Sequence, residues 1–331
     1  MRPRCSDAAR DRGDPLIGTA PPARRWLLIE QSAGWGRDAL ESLAGLPIPD
    51  RAELRRGLES VGARLQLVRR PGARPSDHRA DGADRRWAVV DTGPPAGQVW
   101  GTLAQGWAAV FSALANPVPT GPGEPIMLVC TNGRHDVCCA VRGRPVAAAL
   151  AAEQPDSVWE TTHTGGDRFA ANMIVLPDGA CYGGLDPGVA ADVVAAHRRG
   201  VPDVAHLRGV TGRSPQDQVT LLAVAPELGV LPWDRARLTA RPRRAGSEAA
   251  APARAQARRA GGWSREILLD GRLAAVVHGH NEIRRAELLT CAATAPSRAA
   301  VPIVDHVEHI DPVGHIDPVD PIGHIDPVVD P

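Results

Sequence analysis

"IMLVCTNGRHDVCCAVRGRPVAAALAAE" (residues 126–153) runs an apolar pentad into a polar loop and then into an alanine-rich stretch. Five apolar residues bounded by a turn signal read as a buried strand. Pro145 is tolerated in the first turn of a helix, so "VAAALAAE" is expected to continue a helix that begins near it. Between strand and helix lie three of the six cysteines, Cys130, Cys138 and Cys139, beside Arg134, His135 and Asp136. A lone buried cysteine is a small hydrophobe. Three in ten residues raise a disulfide, a nucleophile or a metal centre.

Downstream, "SVWETTH" (157–163) and "FAANMIVLP" (169–177) read as strands, and "GVAADVVAAHRRG" (188–200) as a helix with basic residues in its last turn and Gly200 beyond it. The same order appears upstream. "RWLLIEQ" (25–31) is a strand, "DALESLAGLP" opens a helical stretch, and "RAELRRGLESVG" (51–62) has helical spacing. "ARLQLVRR" (63–70) and "RWAVVDT" (86–92) are strands, and "GQVWGTLAQGWAAVFSALAN" (97–116) reads as one long buried helix. Two β-α-β-β-α units result, with helices packed on mixed sheets. The fold class is α/β: two thioredoxin-like units, a small β-rich C-terminal appendage and a disordered tail.

The expected organisation is a flexible lead-in (1–24), an N-terminal α/β half (25–120), a second thioredoxin-like domain carrying the cysteine loop (121–212), an appendage with an Arg/Ala/Gly linker (213–302) and the tail (303–331). Within the appendage, "PQDQVTLLAVAPELG" is amphipathic, "WSREILLDG" and "RLAAVVHGH" form a hairpin about Asp270-Gly271, and "ELLTCAA" (287–293) adds a short strand. The tail repeats HIDPV from His309, His315 and His324, and its prolines oppose helix and ladder alike.

The 331 residues are 43% apolar and formally neutral, so neither nucleic acid nor an anionic membrane is an expected partner. All 38 basic residues are arginine, which removes Schiff-base and P-loop lysine chemistry. With no apolar leader segment and no long apolar run, a cytoplasmic protein with reduced or liganded thiols is expected.

A second loop, "THTGGDRFAANM" (162–173), places His163 and Asp167 four residues apart, as Cys130 and Cys139 stand nine apart in the first. Thiolates with an imidazole suit iron–sulfur or zinc better than magnesium or calcium. Together the stretches Cys130–Cys139, Gly143-Arg-Pro145, His163–Asn172 and Tyr182-Gly183, with "PPARRWLLIEQ" near the start, make the chain similar to the sucrase/ferredoxin-like family. The resemblance implies a thioredoxin-like ferredoxin domain with a 2Fe–2S cluster and an electron-transfer role. By position it implies cluster and metal ligands at Cys130, Cys139, His163 and the place held by Asp167, where the eukaryotic branch has a second histidine. Cys181 and Cys138 are alternatives for the fourth ligand. Cys5 and Cys291 fall outside these motifs and read as structural. His135 reads as a solvated loop residue, and Arg168 as the partner of a nearby carboxylate.

Two other functions compete: a thioredoxin-fold thiol oxidoreductase using Cys138 or Cys139, and structural zinc on the same donors. The first lacks a CxxC motif. No carboxylate pair for sugar hydrolysis can be singled out. No GxGxxG fingerprint is present, so the redox partner, reductase or acceptor, is expected to be a separate protein.

Overall fold

The computed structural model describes residues 3–32, 34–73, 84–93, 95–116, 118, 119, 121, 123–225, 236–240, 262–286 and 288–309. In chain order the N-terminal elements are α1 (Cys5–Asp11), β1 (Arg25–Glu30), α2 (Ala39–Ser42), α3 (Ile48–Ser60), β2 (Ala63–Arg69), β3 (Arg86–Asp91), β4 (Gly97–Thr102) and α4 (Trp107–Ala115). There follow β5 (Ile126–Cys130), α5 (Val137–Glu153), β6 (Val158–Thr161), β7 (Met173–Leu176), β8 (Ala180–Tyr182), α6 (Pro187–Arg198), β9 (Leu207–Val210) and α7 (Pro215–Ala223). The chain continues through β10 (Ala236–Ala240), β11 (Gly262–Leu269), β12 (Arg272–Ala286) and β13 (Ser297–His309).

One nine-stranded sheet has the order β4-β3-β1-β2-β6-β5-β7-β8-β9. In each half a strand pairs in parallel with the next across a helix (β1–β2, β5–β6) and antiparallel with the one after (β1–β3, β5–β7). The halves thus each run β-α-β-β-β-α, one strand more than expected, because β4 pairs antiparallel with β3 and β8 with β7. They join through β2 and β6, antiparallel, with only Val68↔Thr161 and Arg69↔Glu160 in register. Those residues end their strands, so the carboxyl ends of both parallel pairs meet at the junction. The loops following such ends are where α/β sheets place their ligands.

Alternate side chains serve two buried faces, as the pleat requires. Leu27, Ile29, Leu67 and Val89 pack in one cluster with Leu54 and Leu58 of α3 and Val110 and Leu114 of α4. Met127, Val129, Met173 and Tyr182 do the same with Val146 of α5 and Val193 of α6. The opposite face is continuous across both halves, from Trp26 and Leu28 to Ile174 and Leu176, with Trp159 fully buried.

Several expectations are corrected. Residues 97–116 are not one helix: Gly97–Thr102 pair with β3 and α4 starts at Trp107. Gly106, with φ +78°, makes the change of direction. Helix α5 starts at Val137, so Pro145 lies inside it rather than in its first turn. The lead-in is not loose: α1 lies within residues 1–24, and its Cys5 and Ser6 are wholly buried. The β11–β12 hairpin forms with Asp270 (φ 47°) and Gly271 (φ 82°) at its tip, the two left-handed residues of a type I′ turn. However, the described part of 287–293 is turn and coil, and β13 extends to His309, taking in the first seven residues of the expected tail. The remaining HIDPV repeats and nearly all of the 241–262 linker lie outside the described residues. A four-stranded sheet, β10-β11-β12-β13, buries Ile267, Leu269 and Val277 against Leu221 of α7. Among the described residues no helix is long and apolar enough to cross a membrane.

Candidate metal centre

Cys130 is the last residue of β5 and is buried, its amide donating to the Asn172 carbonyl at 3.0 Å. Asp136 caps α5, accepting the Cys138 amide at 2.8 Å, which sets Cys138 and Cys139 in the helix's first turn. A side chain on Gly143 would strike the Cys130 carbonyl, so glycine lets α5 close against the end of β5. The second loop leaves β6 at Thr161. Gly165 (φ 99°) and Gly166 (φ 81°) turn it back, and a side chain at 166 would collide with the Arg208 guanidinium. Arg208 is buried and donates to the Gly165 carbonyl (2.9 Å) and Asn172 Oδ1 (2.8 Å). Arg64 donates to the carbonyls of Thr164 (3.0 Å) and His163 (3.2 Å). Two arginines and two glycines thus hold His163 in place.

The two loops converge. Cys130, Cys139 and His163 each offer a ligand atom, all within 4.8 Å of one another. His135, His163 and Asp167 do likewise. Asp167 ties the groups together: the Cys139 thiol donates to its Oδ1 at 3.3 Å, and His163 Nδ1 lies 2.9 Å from the same oxygen. That nitrogen is buried and has no well-directed hydrogen bond.

Protonation is uneven across the site. The neighbouring Cys139 thiol lowers the Cys130 thiol well below its ordinary value despite full burial, and His163 adds to the effect. Cys139 is pushed up, by that same contact first and then by burial. Burial alone would lower His163, but its contacts with Asp167 and Cys130 raise it to about 9. Burial opposes ionisation of Asp167, and the His163 contact overcomes it and holds the carboxyl below its usual range. The Cys130 thiol, His163 and Asp167, each drawn toward its charged form, are gathered where the loop histidines reach solvent, with side chains 19% (His163) and 26% (His135) exposed.

The sequence-predicted donors Cys130, Cys139, His163 and Asp167 therefore lie together. The alternatives for the fourth position do not join them. Cys181 is buried in the apolar face beside Ile174 and Leu176, and Cys138 sits with Cys5 and Cys291. His135, read from sequence as solvated, instead stacks on His163, and its Nδ1 lies 3.1 Å from the Arg37 carbonyl. Cys5 and Cys291 are likewise not isolated. Arg168 does pair with a carboxylate, Asp14, at 3.1 Å.

Fold and site define a class: a duplicated α/β protein with a cysteine–histidine–carboxylate donor cluster where its halves meet. The family model described as sucrase/ferredoxin-like matches residues 16–209, more than half of the chain, and the chain belongs to that family. No curated protein and no solved structure matches it.

Proposed function

We propose that the chain is an electron-transfer protein whose 2Fe–2S cluster is held by Cys130, Cys139, His163 and Asp167. The observation that carries this reading is the convergence of Cys130, Cys139 and His163 from two loops onto one point. The donor set fits the group, because soft thiolates and a borderline imidazole prefer iron–sulfur or zinc to hard cations. When bound, such a cluster supplies one-electron transfer at a potential set by its ligands and burial. The chain's own residues supply the rest. The Cys130 thiol is drawn toward its ionised form, the glycines bring helix and loop close, and Arg64 and Arg208 fix the histidine loop by its carbonyls. The partly exposed histidine edge is the side that a separate donor or acceptor protein would approach.

The thiol oxidoreductase reading is disfavoured by burial: Cys138 and Cys139 are 0% and 1% exposed and point into different groups. A nucleophile needs access. The test is metal and acid-labile sulfide analysis of anaerobically purified protein, with iron and sulfide expected at about two each per chain. Stoichiometric zinc at Cys130 and Cys139 with no iron would overturn the reading.

A further inference from the structure

Cys138 and Cys139 are neighbours at the start of α5, and helical geometry turns consecutive side chains about 100° apart. Cys139 faces Cys130. Cys138 faces Cys5 of α1 and Cys291 of the β12–β13 loop, residues 133 and 153 positions away in sequence. The three sulfurs form a closed triangle: Cys5–Cys138 3.5 Å, Cys138–Cys291 3.3 Å and Cys291–Cys5 3.5 Å. Both Asp136 oxygens lie 3.7 Å from the Cys5 sulfur. The four ligand atoms fall within 4.8 Å of one another.

We propose that Cys5, Cys138, Cys291 and Asp136 form a second, mononuclear zinc site that fastens α1 and the β12–β13 loop to the start of α5. The sulfur spacings decide for a single ion. A disulfide needs about 2.05 Å. Thiolates about 2.3 Å from one tetrahedral zinc stand about 3.8 Å apart, close to the triangle seen here. The surroundings are built for ligands. Cys5 and Cys138 are fully buried, and Asp136 is 3% exposed. Asp136 also accepts the amides of Cys138 (2.8 Å) and Cys291 (2.6 Å), so it orients two ligand residues while presenting its oxygens to the third. Ser6 donates to the Cys138 sulfur at 3.3 Å and accepts from Arg142 Nε at 2.9 Å, the outer hydrogen bonding that steadies metal ligands. Besides the three cysteines, the apolar cluster at this point contains only Ala170, with Leu288 packed against it, among the described residues. A metal that bridges α1 and the β12–β13 loop would hold the fold together as structural zinc does.

The test uses the full chain purified reduced, anaerobically and with zinc supplied. Expected are one zinc per chain, lost in Cys5→Ser and in Cys291→Ser but kept in Cys130→Ser. In the first two variants, amide exchange should quicken in α1 and the 288–293 loop together while the central sheet stays protected. On the wild-type chain, so that a misfolded variant cannot obscure the result, chelation should expose Cys5, Cys138 and Cys291 to alkylation as a set. Three freely alkylated thiols in the zinc-supplied wild type would overturn the proposal. So would an unreduced chain lighter by two hydrogens from a disulfide among these three, or zinc that departs with Cys130 rather than with Cys5.

Discussion

The imidazole rings of His135 and His163 stack face to face, centroids 3.6 Å apart and planes inclined by 10°. They come from different loops, one after β5 and one after β6, and Asp167 contacts both, at 2.9 Å from His163 and 3.7 Å from His135. In the proposed site, Asp167 and His135 are the two candidates for the fourth place beside Cys130, Cys139 and His163. Asp167 is the better placed, because it also accepts from Cys139.

From this follows a pair of variants. Asp167→Ala should lose the metal of this site, whereas His135→Ala should keep most of it. Iron content after anaerobic purification checks both. Iron retained in Asp167→Ala and lost in His135→Ala would make the stacked histidine the donor instead.

The vicinal cysteines give a second test. Cys139→Ser and Cys130→Ser should each abolish visible absorption from the site, since a serine hydroxyl is a poor replacement for a thiolate. Cys138→Ser should leave that absorption largely intact, because its sulfur lies with Cys5 and Cys291. A colourless Cys138→Ser protein beside a coloured Cys139→Ser protein would reverse the assignment.

The duplicated plan was legible because both halves bury short apolar runs, such as Leu27–Ile29 and Met127–Val129, between turn signals. Residues 97–116 misled for a physical reason. Gly101 packs where a side chain would strike Trp87, and Trp100 and Val99 belong to a half-buried strand, yet Ala, Leu and Trp in that run suit a helix equally. Within the site, Cys130, Cys139 and His163 were legible as a motif. The grouping of Cys5 with Cys138 and Cys291 was not, because contacts across 133 to 286 residues leave no local spacing to read. His135 was missed because nothing in its own loop records that a second loop folds over it.

In the metal-free protein the His163–Asp167 pair should leave a pH signature. His163 is raised to about 9 from an unfolded value near about 6.5, so its contribution to stability is complete below about pH 6.5 and is lost as pH rises through about 9. Asp167 is lowered, so its contribution is present above about pH 4 and lost only in stronger acid. Melting temperatures of the metal-free wild type and His163→Gln should therefore diverge most near pH 6 and converge toward pH 10. Parallel traces across that range would show that the histidine holds no charge there.

Gly143→Ala separates packing from helix propensity. In a helix interior, alanine is favoured over glycine by about 1 kcal/mol, so propensity alone predicts stabilisation. The new methyl, however, would meet the Cys130 carbonyl at the end of β5, a backbone atom that cannot swing aside. Either α5 retreats or the strand end moves, and overpacking of this kind costs about 1–3 kcal/mol. The net effect should be destabilising. Because Cys139 rides on the same helix and Cys130 on the same strand end, the displacement should also separate the two sulfurs and lower the iron retained. Denaturant unfolding together with iron analysis of the variant checks both consequences. A Gly143→Ala protein that is more stable than wild type and still holds its full iron would show that the close approach of α5 to Cys130 does not set the geometry of the site.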